Sequence, residues 1–138
     1  MWEAFADSGY WIALHNPEDE WHQKAQQLTN LLQNCTVVTS EMVLVEFLNF
    51  CSRQGAISRR QAAVTALGLY ADPNVLVISH RDIDLLAAIE LYAGRPDQRW
   101  SLTDCASFLI MEERGITDAL AYDRDFEQAG FRALLREV

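Results

Sequence analysis

Short β-branched and aromatic runs alternate with longer helical stretches from one end of this chain to the other, and few folds accept that pattern. A first strand is expected over about Glu3–Ala6, ending at Asp7. Pro17 and the acidic turn Glu18-Asp19-Glu20 open a helix running to about Leu32, with Trp21, Ala25, Leu28 and Leu32 on one face. Thr36–Thr39 is a β-branched strand, after which Ser40 caps a strongly apolar helix ending near Gly55. Ser58 caps the next helix, which Asp72-Pro73-Asn74 breaks, and Val75–Ile78 reads as a buried strand. A helix from Asp82 to about Ala93 stops at Gly94 and Pro96, and Ser101 opens another that ends at Gly115. Ala119–Tyr122 is a strand, Arg124–Ala129 a helical turn and Phe131–Leu135 a last strand. Such alternation predicts an α/β fold with a parallel sheet covered on both faces. No repeat or linker divides the chain, so residues 1–138 are expected to form one domain.

Within this frame, four acids sit in or beside apolar runs: Asp7 in Phe-Ala-Asp-Ser, Glu46 in Val-Leu-Val-Glu-Phe-Leu, Asp104 in Ser-Leu-Thr-Asp-Cys-Ala and Asp123 in Leu-Ala-Tyr-Asp-Arg-Asp. A carboxylate among apolar neighbours is costly unless something pairs with it. Cations are scarce, with 11 Lys and Arg against 20 Asp and Glu. Ligands of open parallel sheets bind beyond the carboxyl ends of the strands. Asp7 and Asp123 end predicted strands, Glu46 lies in the helix after the second strand, and Asp104 lies in the first turn of its own helix. All four can reach one edge of the sheet, where a divalent metal would relieve their mutual repulsion. At an effective dielectric of ~20, two carboxylates ~5 Å apart repel by about 3 kcal/mol. Hard cations such as Mg2+ or Mn2+ prefer oxygen ligands.

Taken singly, most of these acids also have a structural explanation. Asp7 suits the turn after its strand, Ser101-Leu102-Thr103-Asp104 matches a capping box, and Asp123 suits the N-cap of the short helix that follows. Glu46 is harder to explain so, because Met42–Phe50 is apolar nearly all round. Asp125 is the nearest rival, two residues past Asp123, while Glu90 and Asp118 read as surface residues. Arg95 and Arg99 in the Gly94–Trp100 loop are candidate phosphate contacts, although solvated loops carry such charges anyway. Trp11, Trp21 and Trp100 read more readily as packing residues than as base-stacking platforms.

The remaining features mainly exclude. A net charge of −9 argues against binding nucleic acid through a basic surface, but not against a nuclease whose metal meets the phosphate. His15, His22 and His80 lack zinc-site spacing, and no GxSxG, P-loop or GxGxxG occurs. No run approaches the roughly 18 apolar residues of a membrane span, and no signal peptide is visible. The three cysteines form no CxxC pair, and Cys51 and Cys105 read as core residues, so a reducing cytoplasm is expected.

The ordered set Asp7, Glu46, Asp104, Asp123 resembles the acids of PIN-domain ribonucleases, most nearly the VapC-type toxins of prokaryotic toxin–antitoxin pairs. The resemblance covers almost the whole chain. Phe-Ala-Asp-Ser looks like the family's opening acid, and Thr-Ser-Glu-Met-Val-Leu-Val-Glu-Phe like the helix bearing its Glu. Ser-Leu-Thr-Asp-Cys-Ala resembles the Ser/Thr-x-x-Asp segment, and Ala-Tyr-Asp-Arg-Asp-Phe-Glu-Gln-Ala-Gly-Phe its last acid and tail. Ala121 departs from the Thr or Ser that the family often carries two residues before that acid.

The resemblance implies a three-layer α/β/α fold around a mostly parallel sheet of four or five strands. It implies an endoribonuclease using Mg2+ or Mn2+ held by Asp7, Glu46, Asp104 and Asp123, with RNA as substrate. It implies, too, a homodimer and a cognate antitoxin that covers the site. Two other readings stay open. One is a catalytically silent PIN-like module that binds protein or RNA. The other is a phosphoacceptor or phosphohydrolase suggested by Asp123-Arg-Asp125, against which stands that motif's place near the C-terminus.

Overall fold

The computed structural model describes residues 2–137. Its central sheet has five strands, β1 (Trp2–Ala6), β2 (Cys35–Ser40), β3 (Val75–Ile78), β4 (Asp118–Leu120) and β5 (Arg132–Ala133). They lie in the order β3-β2-β1-β4-β5, and every pairing is parallel. The registers set Ala4 beside both Val37 and Asp118, so β1 is the central strand. Its residues Ala4, Phe5 and Ala6 are wholly buried, as expected for a strand covered on both faces.

Seven α-helices among the described residues cover the sheet: α1 (Ser8–His15), α2 (His22–Asn30), α3 (Glu41–Cys51), α4 (Ala56–Ala71), α5 (Leu85–Gly94), α6 (Leu102–Arg114) and α7 (Arg124–Gln128). The chain winds outward from β1 to β2 and β3, then returns to the other side of β1 for β4 and β5. Right-handed crossovers therefore place α1–α4 and α5–α7 on opposite faces. The three-layer α/β/α arrangement read from the sequence is the one observed. The reversal of winding falls between β1 and β4, where doubly wound sheets open a crevice at the carboxyl ends of their strands.

Several local expectations are corrected. Helix α1 was not legible as a helix because Ser8, Gly9, Tyr10, Trp11 and Ala13 are all buried, leaving no polar face to mark a period. Helix α2 starts at His22 rather than at Pro17, because the acids after Pro17 belong to turns: Asn16 Oδ1 accepts from Glu18 N at 3.0 Å, and Asp19 Oδ1 accepts from Trp21 N at 2.8 Å. Helix α4 starts after Gly55, which takes φ 99°, and Ser58 instead pairs its Oγ with His15 Nε2 at 2.9 Å. Strand β3 is a half-exposed edge rather than a buried strand, with Leu76 38% exposed. Strand β5 is only two residues long and runs into a 3₁₀ turn over Leu134–Arg136.

Candidate active site

Asp7 follows the last residue of β1 and is 8% exposed, although it carries a carboxylate. Its backbone N–H donates to Leu120 O at 3.2 Å, tying the exit of β1 to that of β4 at the crevice. It precedes α1, but its side chain makes no capping hydrogen bond to that helix. Asp7 Oδ1 is buried with no hydrogen-bond partner. An ionised oxygen in that position is costly, and the usual outcomes are protonation or a cation.

The other three acids converge on it. Burial is the main cause that pushes the Asp7 carboxyl well above the ordinary carboxylate range, and the charges of Asp104, Glu46 and Asp123 push it further. The backbone N–H of Ser8 pulls the other way. Burial likewise pushes Asp104 up to about 6, helped by Asp125, Glu46 and Asp123 and opposed by the Ser101 N–H. Asp125 is 7% exposed and raised by burial and by Asp123, with Arg99 opposing. The structure thus brings Asp7, Glu46, Asp104 and Asp123 into one electrostatic neighbourhood and adds Asp125 to it.

Three of these acids have internal partners. Ser101 Oγ accepts from Asp104 N, and Asp104 Oδ2 accepts from Ser101 N, each at 3.0 Å, so the expected capping box is present. Asp123 caps α7, its Oδ1 accepting from Asp125 N at 3.0 Å. Ser8 Oγ donates to Glu46 Oε1. Glu46 is half-buried rather than enclosed, because α3 leaves an apolar strip uncovered, with Val45 56% exposed. A groove of about 860 Å3 runs from Glu46 and Thr103 along this strip to Leu67 and Tyr70. Ser8 is the site residue that sequence reasoning missed. Its place directly after an acid at a strand's end was the available signal.

Among the described residues, no three His, Cys, Asp or Glu side chains already stand as a ligand set for a metal ion. The residues fit a hard divalent cation nonetheless. Their donors are all carboxylate oxygens, two of the acids are held above their normal titration range, and Asp7 Oδ1 has an unmet need for a positive partner.

Comparison with known proteins agrees with this fold. Residues 4–132 match the PIN domain family. Over 128 residues the chain is 34% identical to the 23S rRNA-specific endonuclease VapC20 of Mycobacterium tuberculosis, in two strains, covering 92% of this chain and 94% of the relative. The crystal structure of Mycobacterium tuberculosis VapC20, described as a sarcin-ricin loop cleaving toxin, aligns with a TM-score of 0.83 at 31% identity. That alignment covers 94% of this chain and 97% of the other.

Proposed function

The chain belongs to the PIN domain family, and from that premise we propose that it is a metal-dependent endoribonuclease acting as the toxin of a type II toxin–antitoxin pair. The observation that carries the proposal is the buried, partnerless Asp7 Oδ1 facing the charges of Asp104, Glu46 and Asp123. A fold that holds a carboxylate in that state gains nothing in stability from it and keeps it for a ligand.

In this reading Asp7, Glu46 and Asp104 hold the cation and Asp123 completes the set, directly or through water. Bound there, Mg2+ or Mn2+ would lower the pKa of water and offset the charge that develops on the phosphodiester. Ser8 orients Glu46 through its hydroxyl, and the capping box fixes the rotation of Asp104. Asp125, packed beside Asp104 and Asp123, keeps their charge density high, which disfavours the metal-free ionised state. Arg99 acts on this group as well, opposing the rise at Asp125.

RNA is proposed as the substrate because the relative is named as an endonuclease of 23S rRNA, and that RNA is the first to test. The proposal extends to a homodimer and to an antitoxin that covers the site. The apolar groove beginning at Glu46 offers such a protein a surface beside the acids. It includes a cytoplasmic location and a single domain over residues 1–138. No helix among the described residues is long and apolar enough to cross a membrane.

One feature favours the rival reading of a catalytically silent binding module: Glu46, Asp104 and Asp123 are each already hydrogen-bonded within the protein. Cleavage assays separate the two. The endoribonuclease cuts RNA with Mn2+ and stops when the metal is chelated. Binding without turnover at any Mn2+ concentration would establish the silent module instead.

A further inference from the structure

The loop between α5 and α6 carries two arginines, Arg95 and Arg99, and the fold engages only the first. Arg95 Nε and Nη2 donate to the two carboxylate oxygens of Asp97, each at 3.0 Å, and its guanidinium lies 4.9 Å from the centroid of the Trp100 ring. Arg99 is exposed, and among the described residues it makes no hydrogen bond or ion pair.

Arg99 is nevertheless held beside the acids by the residues that follow it. Trp100 is 7% exposed and packs edge-on against Phe108, with ring centroids 5.0 Å apart. Phe108 packs in the same way on Phe126, the residue after Asp125. Ser101 exchanges two hydrogen bonds with Asp104. Two residues of extended chain span at most about 7 Å, so the backbone of Arg99 cannot lie farther than that from Ser101. The packed ring and the capping box therefore fix where this cation stands. Arg124 is a rival by sequence, lying between Asp123 and Asp125, yet Asp125 feels the charge of Arg99 and not that of Arg124.

Elsewhere in the molecule an arginine near a carboxylate closes an ion pair, as Arg114 does with Glu3 at 2.9 Å and Arg132 with Asp118 at 3.2 Å. Arg99 stands near several acids and closes none. A guanidinium offers five donors in a plane, and its fork matches two oxygens of a phosphate. We propose that Arg99 binds a phosphate of the RNA backbone next to the scissile one, and so sets the register of the strand across the acids. This rests on the endoribonuclease reading above and deepens it. Acids repel the phosphates that flank the cut, so a strand crossing them needs a cation of its own at that place. Arg95, closed on Asp97, is not available for it.

The test pairs protein variants with RNA in which single phosphates have lost their charge. An RNA oligonucleotide that the protein cleaves is compared with copies carrying one neutral methylphosphonate at each linkage flanking the cut. The proteins are wild type, Arg99→Gln, Arg99→Lys, Arg95→Gln and Arg124→Gln. On unmodified RNA, Arg99→Gln lowers kcat/KM about 10- to 100-fold, the range for one charged hydrogen-bonded contact. The fall of log kcat/KM with log salt becomes shallower by about 0.7, the value for one phosphate of a single strand. On one methylphosphonate copy wild type and Arg99→Gln cleave equally. Arg99→Lys keeps the salt dependence and recovers part of the rate, and Arg95→Gln cleaves as wild type does. Tm is unchanged in Arg99→Gln, because the side chain has no partner to lose. Equal losses on every copy, no loss on unmodified RNA, or the same pattern from Arg95→Gln or Arg124→Gln would each overturn the contact. Wild type that cleaves no RNA would defeat the endoribonuclease reading itself, whereas undiminished cleavage by Arg99→Gln defeats the contact alone.

Discussion

Glu41, at the start of α3, accepts hydrogen bonds from Tyr70 Oη at 2.6 Å and His80 N at 2.7 Å, with His80 Nδ1 2.9 Å away. Asp7, at the same edge of the sheet, has a buried oxygen that accepts none. The consequences are opposite. Tyr70 and His80 together hold the Glu41 carboxyl down at about 2, whereas burial among like charges holds Asp7 well above its ordinary value. One carboxylate ties β3's exit to α3 and α4, and its charge is welcome. The other has a buried oxygen without a donor, so its ionised form is costly. Glu46, five residues along the same helix from Glu41, instead adds its charge to those that act on Asp7. Nearness in sequence therefore says little about which role an acid plays, and the count of its hydrogen-bond donors says much.

Substitutions can break this contrast, and cleavage shows the largest effect. Asp104→Asn and Asp7→Asn should each lower RNA cleavage by more than the roughly 100-fold that losing a ligand's supporting partner costs at metal sites, with circular dichroism unchanged. Glu41→Gln should leave cleavage intact.

Stability against pH sharpens the comparison further. Asp104 is raised to about 6 when folded, above the unfolded value of about 4. The folded protein therefore binds more protons between those values, and metal-free stability falls as pH rises from about 4 to 6, by on the order of 2 kcal/mol. Asp7, likewise raised by burial, adds to that fall. Glu41 runs the other way, its stabilisation present above about pH 4 and lost as pH falls towards 2. Urea titrations across this range should show a maximum near pH 4 without metal, and Mn2+ should flatten the upper slope.

Smaller effects follow for the metal-free fold. Asp7→Asn removes a buried charge from among carboxylates and should raise stability by about 1–2 kcal/mol, seen as a Tm several degrees higher. Glu41→Gln removes a charged acceptor that is partly exposed, so the loss is about 1 kcal/mol and Tm falls by a few degrees. A lower Tm for Asp7→Asn would mean that its carboxylate is structural after all.

Much of this is legible in the sequence itself. The apolar run ending at Asp7, the Ser101 capping box and the Gly115 stop each rest on local chemistry, and all three stand in the structure. The order of the acids along an alternating chain placed them at one edge, because sheet topology converts sequence order into position. Helix α1 was invisible, since burial on all sides erases amphipathic period. Ser58 misled because a hydroxyl suited to capping α4 pairs with His15, a residue distant in sequence. The partners of Glu41 and Glu46 were hidden for the same reason. Tyr70, His80 and Ser8 reach them only through the packing of separate elements. The stacking of Trp21 on Tyr122 depends likewise on the residue before α2 meeting the segment that follows β4.

The most direct measurement is thermal unfolding against Mn2+ for wild type, Asp7→Asn, Asp104→Asn and Glu41→Gln. A cation at a hundred times its Kd stabilises the folded state by about 2.7 kcal/mol, a rise of several degrees in Tm. The expected result is that rise in wild type and Glu41→Gln and its loss in both aspartate variants. An equal rise in all four proteins would place the metal elsewhere, and no rise in wild type would show that the acids around Asp7 do not bind it in the free protein.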